Sequence, residues 1–245
     1  MRRWAAAFVL VAAGLPFATT ATAQPAVSAT YDGPTTRYPH AALGDDIEHT
    51  TLVVTLADGR TISAGWDAPV VFEDTAPRLV DLNGDGAPEV MVVEAHEQLG
   101  ARLAIWGVTS DALIPLAATP WIGQRFRWLA PLGAADLDGD GTMEIAYIDR
   151  PHLARTLRVW RIVFDGPDTV RLLEIAAAPG LTNHRFGDPT IPGGIRDCGD
   201  GPEMITADAG WTAVMATRLL PDGTLQSRRL GGWTPGALNA ALTCP

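Results

Sequence analysis

The chain has 245 residues and a formal net charge of −10, from 28 acidic and 18 basic side chains. A surface this acidic repels phosphate groups, so nucleic acids and anionic membranes are poor candidates for partners. The length is enough for one well-packed core and does not require two domains.

The first residues have the pattern of an export signal. Arg2 and Arg3 supply positive charge, residues 4–16 form an apolar stretch, and Ala21 and Ala23 form an A-x-A cleavage site. About 12 apolar residues are fewer than the roughly 20 that a membrane-spanning helix needs, and no later stretch is long enough to span. The sequence therefore predicts a signal peptide over 1–23 and an exported mature chain, 24–245, that is periplasmic or extracellular.

Cys198 and Cys244 are the two cysteines of the chain. In an exported protein such a pair is expected to form one disulfide, and two unpaired buried thiols are the alternative. The bond would tie the C-terminal tail to the last part of the chain. It could also fasten a closure in which the tail completes the N-terminal unit.

The sequence repeats with a period near 55 residues. Two acidic loops begin at Asp81 and Asp136, 55 residues apart, and each is followed by an apolar run and then by a tryptophan, Trp106 or Trp160. A second set of markers recurs every 56 residues: His40, His96, His152 and Asp208. Self-similarity at a fixed period indicates a repeat architecture. We therefore predict four units in a single domain, over 24–68, 69–124, 125–186 and 187–245.

Short strands joined by Gly, Pro and Asp turns fill these units. The second unit has predicted strands at 77–82, 89–94, 101–108 and 112–117, and the third at 132–137, 144–149, 156–164 and 169–176. The first shows clear strands only at 51–56 and 61–66. An all-β fold with units of this size fits a β-propeller of about four four-stranded blades, and a β-sandwich is the alternative.

The first acidic loop (81–89) and the second acidic loop (136–144) offer oxygen atoms at alternate positions, which suits a hard cation such as calcium. The first would use side chains of Asp81, Asn83, Asp85 and Glu89 and the carbonyl of Ala87. The second would use side chains of Asp136, Asp138, Asp140 and Glu144 and the carbonyl of Thr142. We predict two structural calcium sites, the second tighter because it has four carboxylates against three plus an amide. Asp-Gly turns without metal are the alternative.

The loops differ from an EF-hand, because Val92 and Tyr147 stand at position 12, where that motif needs glutamate. A strand, D-x-[DN]-x-D-G-x-x-[DE] and a second strand, in blade-sized units, resemble the FG-GAP or VCBS repeat family. That family builds the calcium-bearing propellers of integrin α-chains and of many exported bacterial proteins, and the resemblance covers about 39–230. The fourth unit departs from the pattern, with Arg196 and Cys198 where ligands are expected, so its loop is predicted to be metal-free.

The remaining histidines and tryptophans have less specific interpretations. Equivalent positions of successive repeats are expected to lie apart, so the periodic histidines are predicted to be structural rather than to converge. Trp106 and Trp160 are predicted to lie in the core, and Trp121 and Trp128 nearer the surface.

The sequence favours a calcium-binding interaction module for an unknown protein or glycan over an enzyme, because no G-x-S-x-G nucleophile motif occurs. No catalytic residue is assigned. The alternative is a small secreted hydrolase or lyase acting on polysaccharide or lipid. Acidic or histidine side chains converging in a central funnel would favour that enzyme, and an exposed aromatic patch there would favour glycan binding.

Overall fold

The computed structural model describes residues 24–166 and 169–244, and the predicted signal peptide, 1–23, lies outside the described residues. The first half of the chain contains β1 (Ala26–Thr35), β2 (Glu48–Leu56), β3 (Thr61–Gly65), β4 (Val70–Phe72), β5 (Arg78–Val80), β6 (Glu89–His96), β7 (Gly100–Val108) and β8 (Leu113–Ala118). The second half contains β9 (Leu129–Ala135), β10 (Glu144–Asp149), β11 (Thr156–Gly166), β12 (Thr169–Pro179), β13 (Leu181–Thr182), β14 (Gly194–Asp197), β15 (Pro202–Asp208), β16 (Ala213–Leu219), β17 (Leu225–Gly232) and the short helix α1 (Ala237–Ala240). The prediction of an all-β fold is confirmed.

The strands form three antiparallel sheets in the described part of the chain. The N-terminal sheet has the order β1-β2-β4-β6-β7-β8, with β3 beside β2 and β5 beside β6. The middle sheet has the order β12-β11-β10-β9, and the C-terminal sheet has the order β13-β15-β16-β17 with β14 beside β15. The third unit therefore forms the four-stranded sheet predicted for it.

The first two units share the N-terminal sheet instead of forming a sheet each. The connection is β4, which pairs with β6 over three residues and with β2 through the single pair His49 and Phe72. The sequence prediction missed β4 because it has only three residues. It also missed β1, an edge strand whose side chains are mostly exposed and so lack an apolar run.

Successive side chains of the central strands pack into different cores, because neighbours along a strand point to opposite faces of its sheet. On β6, Val90 and Val92 pack against residues of β1 and β2, whereas Met91 and Val93 pack against the middle sheet. The middle sheet repeats this arrangement with β10. One face of β10 packs on the N-terminal sheet and the other on the C-terminal sheet, so both faces are buried.

The C-terminal tail packs on the C-terminal sheet. Leu238 of α1 is buried with Ile205 and Val214, and the carbonyl oxygen of Ala241 accepts a hydrogen bond from Arg196 Nη1 at 2.7 Å. This position differs from the expectation that the tail completes the N-terminal unit. The predicted disulfide between Cys198 and Cys244 is present, with a Cα–Cα distance of 5.5 Å.

Candidate functional site

Both acidic loops have the same internal hydrogen-bonding scaffold. The carboxylate at position 1, Asp81 or Asp136, accepts hydrogen bonds from the amides at positions 4 and 6, at 2.8 and 2.9 Å in each loop. The glutamate at position 9, Glu89 or Glu144, accepts from the amide at position 2 at 2.9 Å. The two loops are therefore copies of one structure, and their ends are fixed by the start of β6 or β10.

Two glycines give each loop its sharp turn. Positions 4 and 6 have φ values between +76° and +88° in both loops, a backbone region that favours glycine. The amides of these glycines point at the position 1 carboxylate. The carboxylates at position 5, Asp85 and Asp140, hold the amides at position 7, those of Ala87 and Thr142, at 2.8 Å.

Arg161 enters the second acidic loop from β11. Its guanidinium donates to Asp138 at 2.5 Å and to Glu144 at 2.7 Å, and lies 3.1 Å from Asp140. Burial raises the pKa of Glu144 above its usual range, and the Leu137 amide and the Arg161 contact act in the opposite direction. The guanidinium of Arg161 therefore lies among the four carboxylates that the sequence predicts as calcium ligands.

Within the described residues, the first acidic loop has no arginine among its hydrogen-bond donors. Instead the side-chain amide of Asn83 donates to Asp85 at 3.0 Å and to Glu89 at 3.3 Å. Asn83 Oδ1 accepts the Asp85 amide at 2.9 Å, which fixes the orientation of the side chain. Burial raises the pKa of Glu89 above its usual range. The loop therefore has a neutral donor where the second has a cation.

Three carboxylates of the second loop could hold a metal ion. Oxygens of Asp136, Asp138 and Glu144 lie within 4.8 Å of one another, close enough to share one ion. Calcium takes six to eight oxygen ligands at about 2.4 Å in flexible geometry. The first loop has the same backbone scaffold but carries Asn83 at position 3, where the second loop has Asp138.

The C-terminal sheet has arginines around the equivalent glutamate. Glu203 pairs with Arg196 at 2.9 Å, Arg218 at 3.1 Å and Arg228 at 2.8 Å. One carboxylate and three guanidinium groups give this cluster a net positive charge, which opposes cation binding. The metal-free loop predicted for this unit stays a prediction.

The register explains why the loops differ. In each sheet a glutamate near the start of the central strand lies beside one residue of the next strand. Glu144 pairs with Arg161. Glu203 lies beside Arg218, because the next pair in the register is Met204 with Thr217. The corresponding neighbour of Glu89 is Gly107, one residue beyond the pair Val90 and Trp106. Sequence reasoning missed Arg161 because its partner is visible only once the strands are paired.

A second cluster of polar side chains lies away from the loops. His40 Nδ1 is 2.5 Å from Glu73 Oε1, and His152 Nε2 is 2.9 Å from His184 Nδ1. His40 and His152 line one cavity of about 440 Å³, here called the histidine cavity, together with Phe186. The prediction that the periodic histidines lie apart is therefore wrong for these two, because the turns that carry them meet at the same place.

His96 and Asp208, the other members of the periodic set, have local roles. His96 packs on Trp121 and its Nδ1 accepts amides of its own turn. Asp208 accepts the amides of Thr212 and Ala213 at 2.6 and 2.7 Å. The predicted structural role in a turn fits these two positions.

The tryptophans divide between core and half-buried positions. Trp106 and Trp160 are buried, as predicted. Trp128 is 2% exposed and donates its indole N–H to the Glu73 carbonyl at 2.8 Å, so its predicted surface position is wrong. Trp121 is half-buried beneath the guanidinium of Arg102. Residues such as Glu73 and His184 were missed because they stand outside the repeated markers.

Comparison with known proteins gives a family match for one part of the chain. No curated protein matches it. The family model described as FG-GAP-like repeat matches residues 81–147, from the first residue of the first acidic loop to β10. This segment contains both acidic loops and the strands of the N-terminal sheet that lie between them. Over residues 81–147 the chain is therefore similar to the FG-GAP-like repeat.

Proposed function

We propose that the protein is an exported, calcium-binding interaction module in which calcium stiffens the acidic loops. The observation that carries this proposal is the shared scaffold of the two loops, in which amides hold the position 1 and position 9 carboxylates. In the second loop, oxygens of Asp136, Asp138 and Glu144 also lie within 4.8 Å of one another. The match to the FG-GAP-like repeat supports it. A bound calcium ion would neutralise the carboxylates and fix the turn between two strands.

The architecture proposed for this module is a single propeller domain over 24–245. The two-faced packing of β6 and β10 supports it, because each of these strands is covered on both faces by strands of the preceding and the following unit, as in radial repetition. The amide of Gly187 also donates to the Ala42 carbonyl at 2.9 Å, which joins the first and fourth units. A crystal structure should show the sheets arranged around an axis. Two layers stacked face to face would instead establish the β-sandwich.

Export is the second part of the proposal. The disulfide between Cys198 and Cys244 is compatible with an oxidising compartment. The described part of the chain has no helix with the length and apolarity to cross a membrane. Expression of the full chain in a bacterium, followed by fractionation and N-terminal sequencing, tests this proposal. Mature protein starting at Gln24 in the periplasm or medium is expected, and an intact N-terminus in the cytoplasm would contradict it.

Calcium binding is tested by isothermal titration of the chelator-treated mature chain, with magnesium as the comparison ion. We expect saturable heat with calcium and a higher melting temperature. Asp81→Asn and Asp136→Asn should each remove one binding event, because each removes the carboxylate that organises its loop. Asp165→Asn is the matched control, since Asp165 pairs with Arg171 outside the loops. No heat, or equal heat in the double variant, would refute the metal proposal.

A second candidate function is the small secreted hydrolase or lyase. The specific observation that favours it is the contact between His40 and the fully buried Glu73 beside a cavity, an arrangement in which a carboxyl group orients an imidazole. The mature chain would be incubated with acidic and neutral polysaccharides and with lipid esters. Products that disappear in His40→Ala would support the enzyme, and no product from any substrate would leave the interaction module as the function.

A further inference from the structure

The histidine cavity is assembled from segments far apart in the sequence. His40 comes from the first unit, Arg127 and His152 from the third, and Phe186 from its end. Aromatic rings form the walls: Phe126 stacks on His40 at 5.1 Å with an interplanar angle of 17°, and Trp128 stacks on His152 at 6.1 Å with 15°. Its volume, about 440 Å³, is within the range of small-molecule sites.

The backbone around the cavity is held in uncommon conformations. Ala41, Phe126 and Arg150 have φ values of +56°, +58° and +47°, although none is glycine. Such residues persist only where the surrounding structure fixes them, and they concentrate at functional sites. The Tyr38 hydroxyl accepts the Phe126 amide at 2.8 Å, and the Arg127 carbonyl accepts the Ala101 amide at 2.8 Å. The cavity is therefore rigid before any ligand arrives.

Hydrogen bonds fix the tautomer of His152. His184 Nε2 lies 2.9 Å from the Asp188 carbonyl, which can only accept, so Nε2 carries the hydrogen and Nδ1 accepts. His152 Nε2 must then donate to His184 Nδ1. In the neutral ring the remaining nitrogen, His152 Nδ1, has a lone pair. Burial, then the neighbouring His184, lowers the pKa of His152 to about 4, so the ring is neutral at pH 7.

His40, which contacts Glu73, offers the cavity a hydrogen-bond donor, whereas His152 offers an acceptor. Burial, then Asp74, raises the pKa of Glu73, and burial, then Arg127, lowers the pKa of His40 to about 4. Burial thus disfavours the charged form of each group, and in the neutral pair the Glu73 hydroxyl donates to His40 Nδ1 across the 2.5 Å contact. A neutral carboxyl also agrees with Glu73 Oε2, which is buried without a hydrogen-bond partner in the described residues. His40 Nε2 then carries the hydrogen and is a donor.

Arg127 supplies the charge of the cavity. In the residues that the structure describes, no carboxylate lies within ion-pair distance of its guanidinium, whereas Arg150 pairs with Asp149 at 2.8 Å. A metal cation is disfavoured here by this positive charge. The cavity thus combines one cationic donor, one neutral donor, one acceptor and aromatic faces.

We propose that the histidine cavity binds an acidic sugar unit, a ring that carries one carboxylate and several hydroxyl groups. The carboxylate pairs with Arg127 and accepts from His40, a hydroxyl donates to His152, and the C–H face of the ring packs on Phe186. Phe186 is 59% exposed, so its ring is open to such a contact. This proposal does not depend on calcium in the acidic loops or on catalysis.

Binding is measured by isothermal titration of the mature chain with D-galacturonate and D-glucuronate, and with D-galactose and benzoate as controls. The sugar acids should bind at least about tenfold more tightly than galactose, which lacks the carboxylate, and than benzoate, which lacks the hydroxyls. Equal binding of galactose, equal binding of benzoate, or no saturable binding of either sugar acid would overturn the proposal. A short uronate oligosaccharide shows whether the natural ligand is a polymer or a free sugar acid. Tighter binding than the monomer indicates a polymer, and equal binding indicates the free acid.

Arg127→Gln should reduce binding of the sugar acids about tenfold or more and remove their advantage over galactose. Arg125→Gln is the matched control, because Arg125 stacks outside on Phe126 and does not line the cavity. His152→Phe keeps the stacking on Trp128 but removes the acceptor, so it should weaken sugar acids and leave benzoate unchanged. Melting curves verify folding of each variant. Unchanged sugar-acid binding in Arg127→Gln, or an equal loss in Arg125→Gln, would refute the site.

Discussion

Replacing Arg161 by methionine should raise the calcium affinity of the second acidic loop. The guanidinium contacts Asp138, Asp140 and Glu144, so the loop has four carboxylates and one cation, a net charge of −3. The first acidic loop, with Asp81, Asp85 and Glu89, also has −3. Arg161 therefore offsets the extra carboxylate on which the prediction of a tighter second site rests.

The size of the effect follows from the geometry. A calcium ion lies about 2.4 Å from its ligand oxygens, so it would stand roughly 5 Å from the guanidinium that now contacts them. A divalent and a single positive charge at that distance repel by about 1.7 kcal/mol in a water-like dielectric of about 80, or roughly 15- to 20-fold in Kd. The water-like value sets a lower bound on the repulsion, because only 25% of the Arg161 side chain is exposed and a lower dielectric would strengthen the effect.

The assay is isothermal titration in an Asp81→Asn background, so that only the second loop takes up calcium. Arg171→Met is the control, because it removes one positive charge from β12 at a pair with Asp165 that does not touch the loop. Methionine at 161 should also lower the melting temperature without calcium and restore it with calcium. An unchanged Kd in Arg161→Met, or the same gain in Arg171→Met, would refute the idea that the guanidinium competes with the ion.

Three further predictions concern stability. Gly141→Ala should lower the free energy of unfolding by about 1 kcal/mol, since φ is +88° although space for a methyl group is present; an unchanged chemical-denaturation midpoint would contradict this. Reduction of Cys198–Cys244 should lower it by about 4 kcal/mol, because the bond closes a separation of 46 residues; equal denaturation curves with and without reductant would argue against it. Burial, and after it the negative charge of Glu73, raises the pKa of Glu48. Above about pH 4.5 the unfolded chain therefore loses a proton that the folded chain keeps. The free energy of unfolding should then fall as the pH rises. Glu48→Gln should flatten that decline, by up to about 1.4 kcal/mol per pH unit, in melting curves from pH 5 to 9.

Strands of the second and third units are predictable because apolar runs lie between Asp-Gly turns. The predicted strand 144–149 agrees with β10, and the predicted 101–108 differs from β7 by one residue. Both strands are buried on their two faces, so most of their side chains are apolar and contribute to a run that predicts a strand. The exposed β1 and the three-residue β4 carry little of it.

The likeness of the two acidic loops was predictable because the residues of each scaffold lie within nine consecutive positions. The histidine cavity was not, since it depends on how the turns of distant units meet. Equal spacing singled out His40 and His152 but could not give the distance between them. Glu73, Arg127 and Phe186 have no repeated counterpart, and only the folded chain places them at one cavity.

The sharing of the N-terminal sheet by two units affects how the chain acquires its structure during synthesis. The apolar face of β2, with Leu52 and Val54, is covered by Val90 and Val92 of β6 and by Trp106 of β7. A chain made from its N-terminus releases β1–β3 well before β7 is complete at Val108. At about 5–20 residues per second, this delay is roughly 2 to 9 seconds. The first strands are therefore the segment most exposed to premature pairing with other chains, and the one for which a holding chaperone matters most.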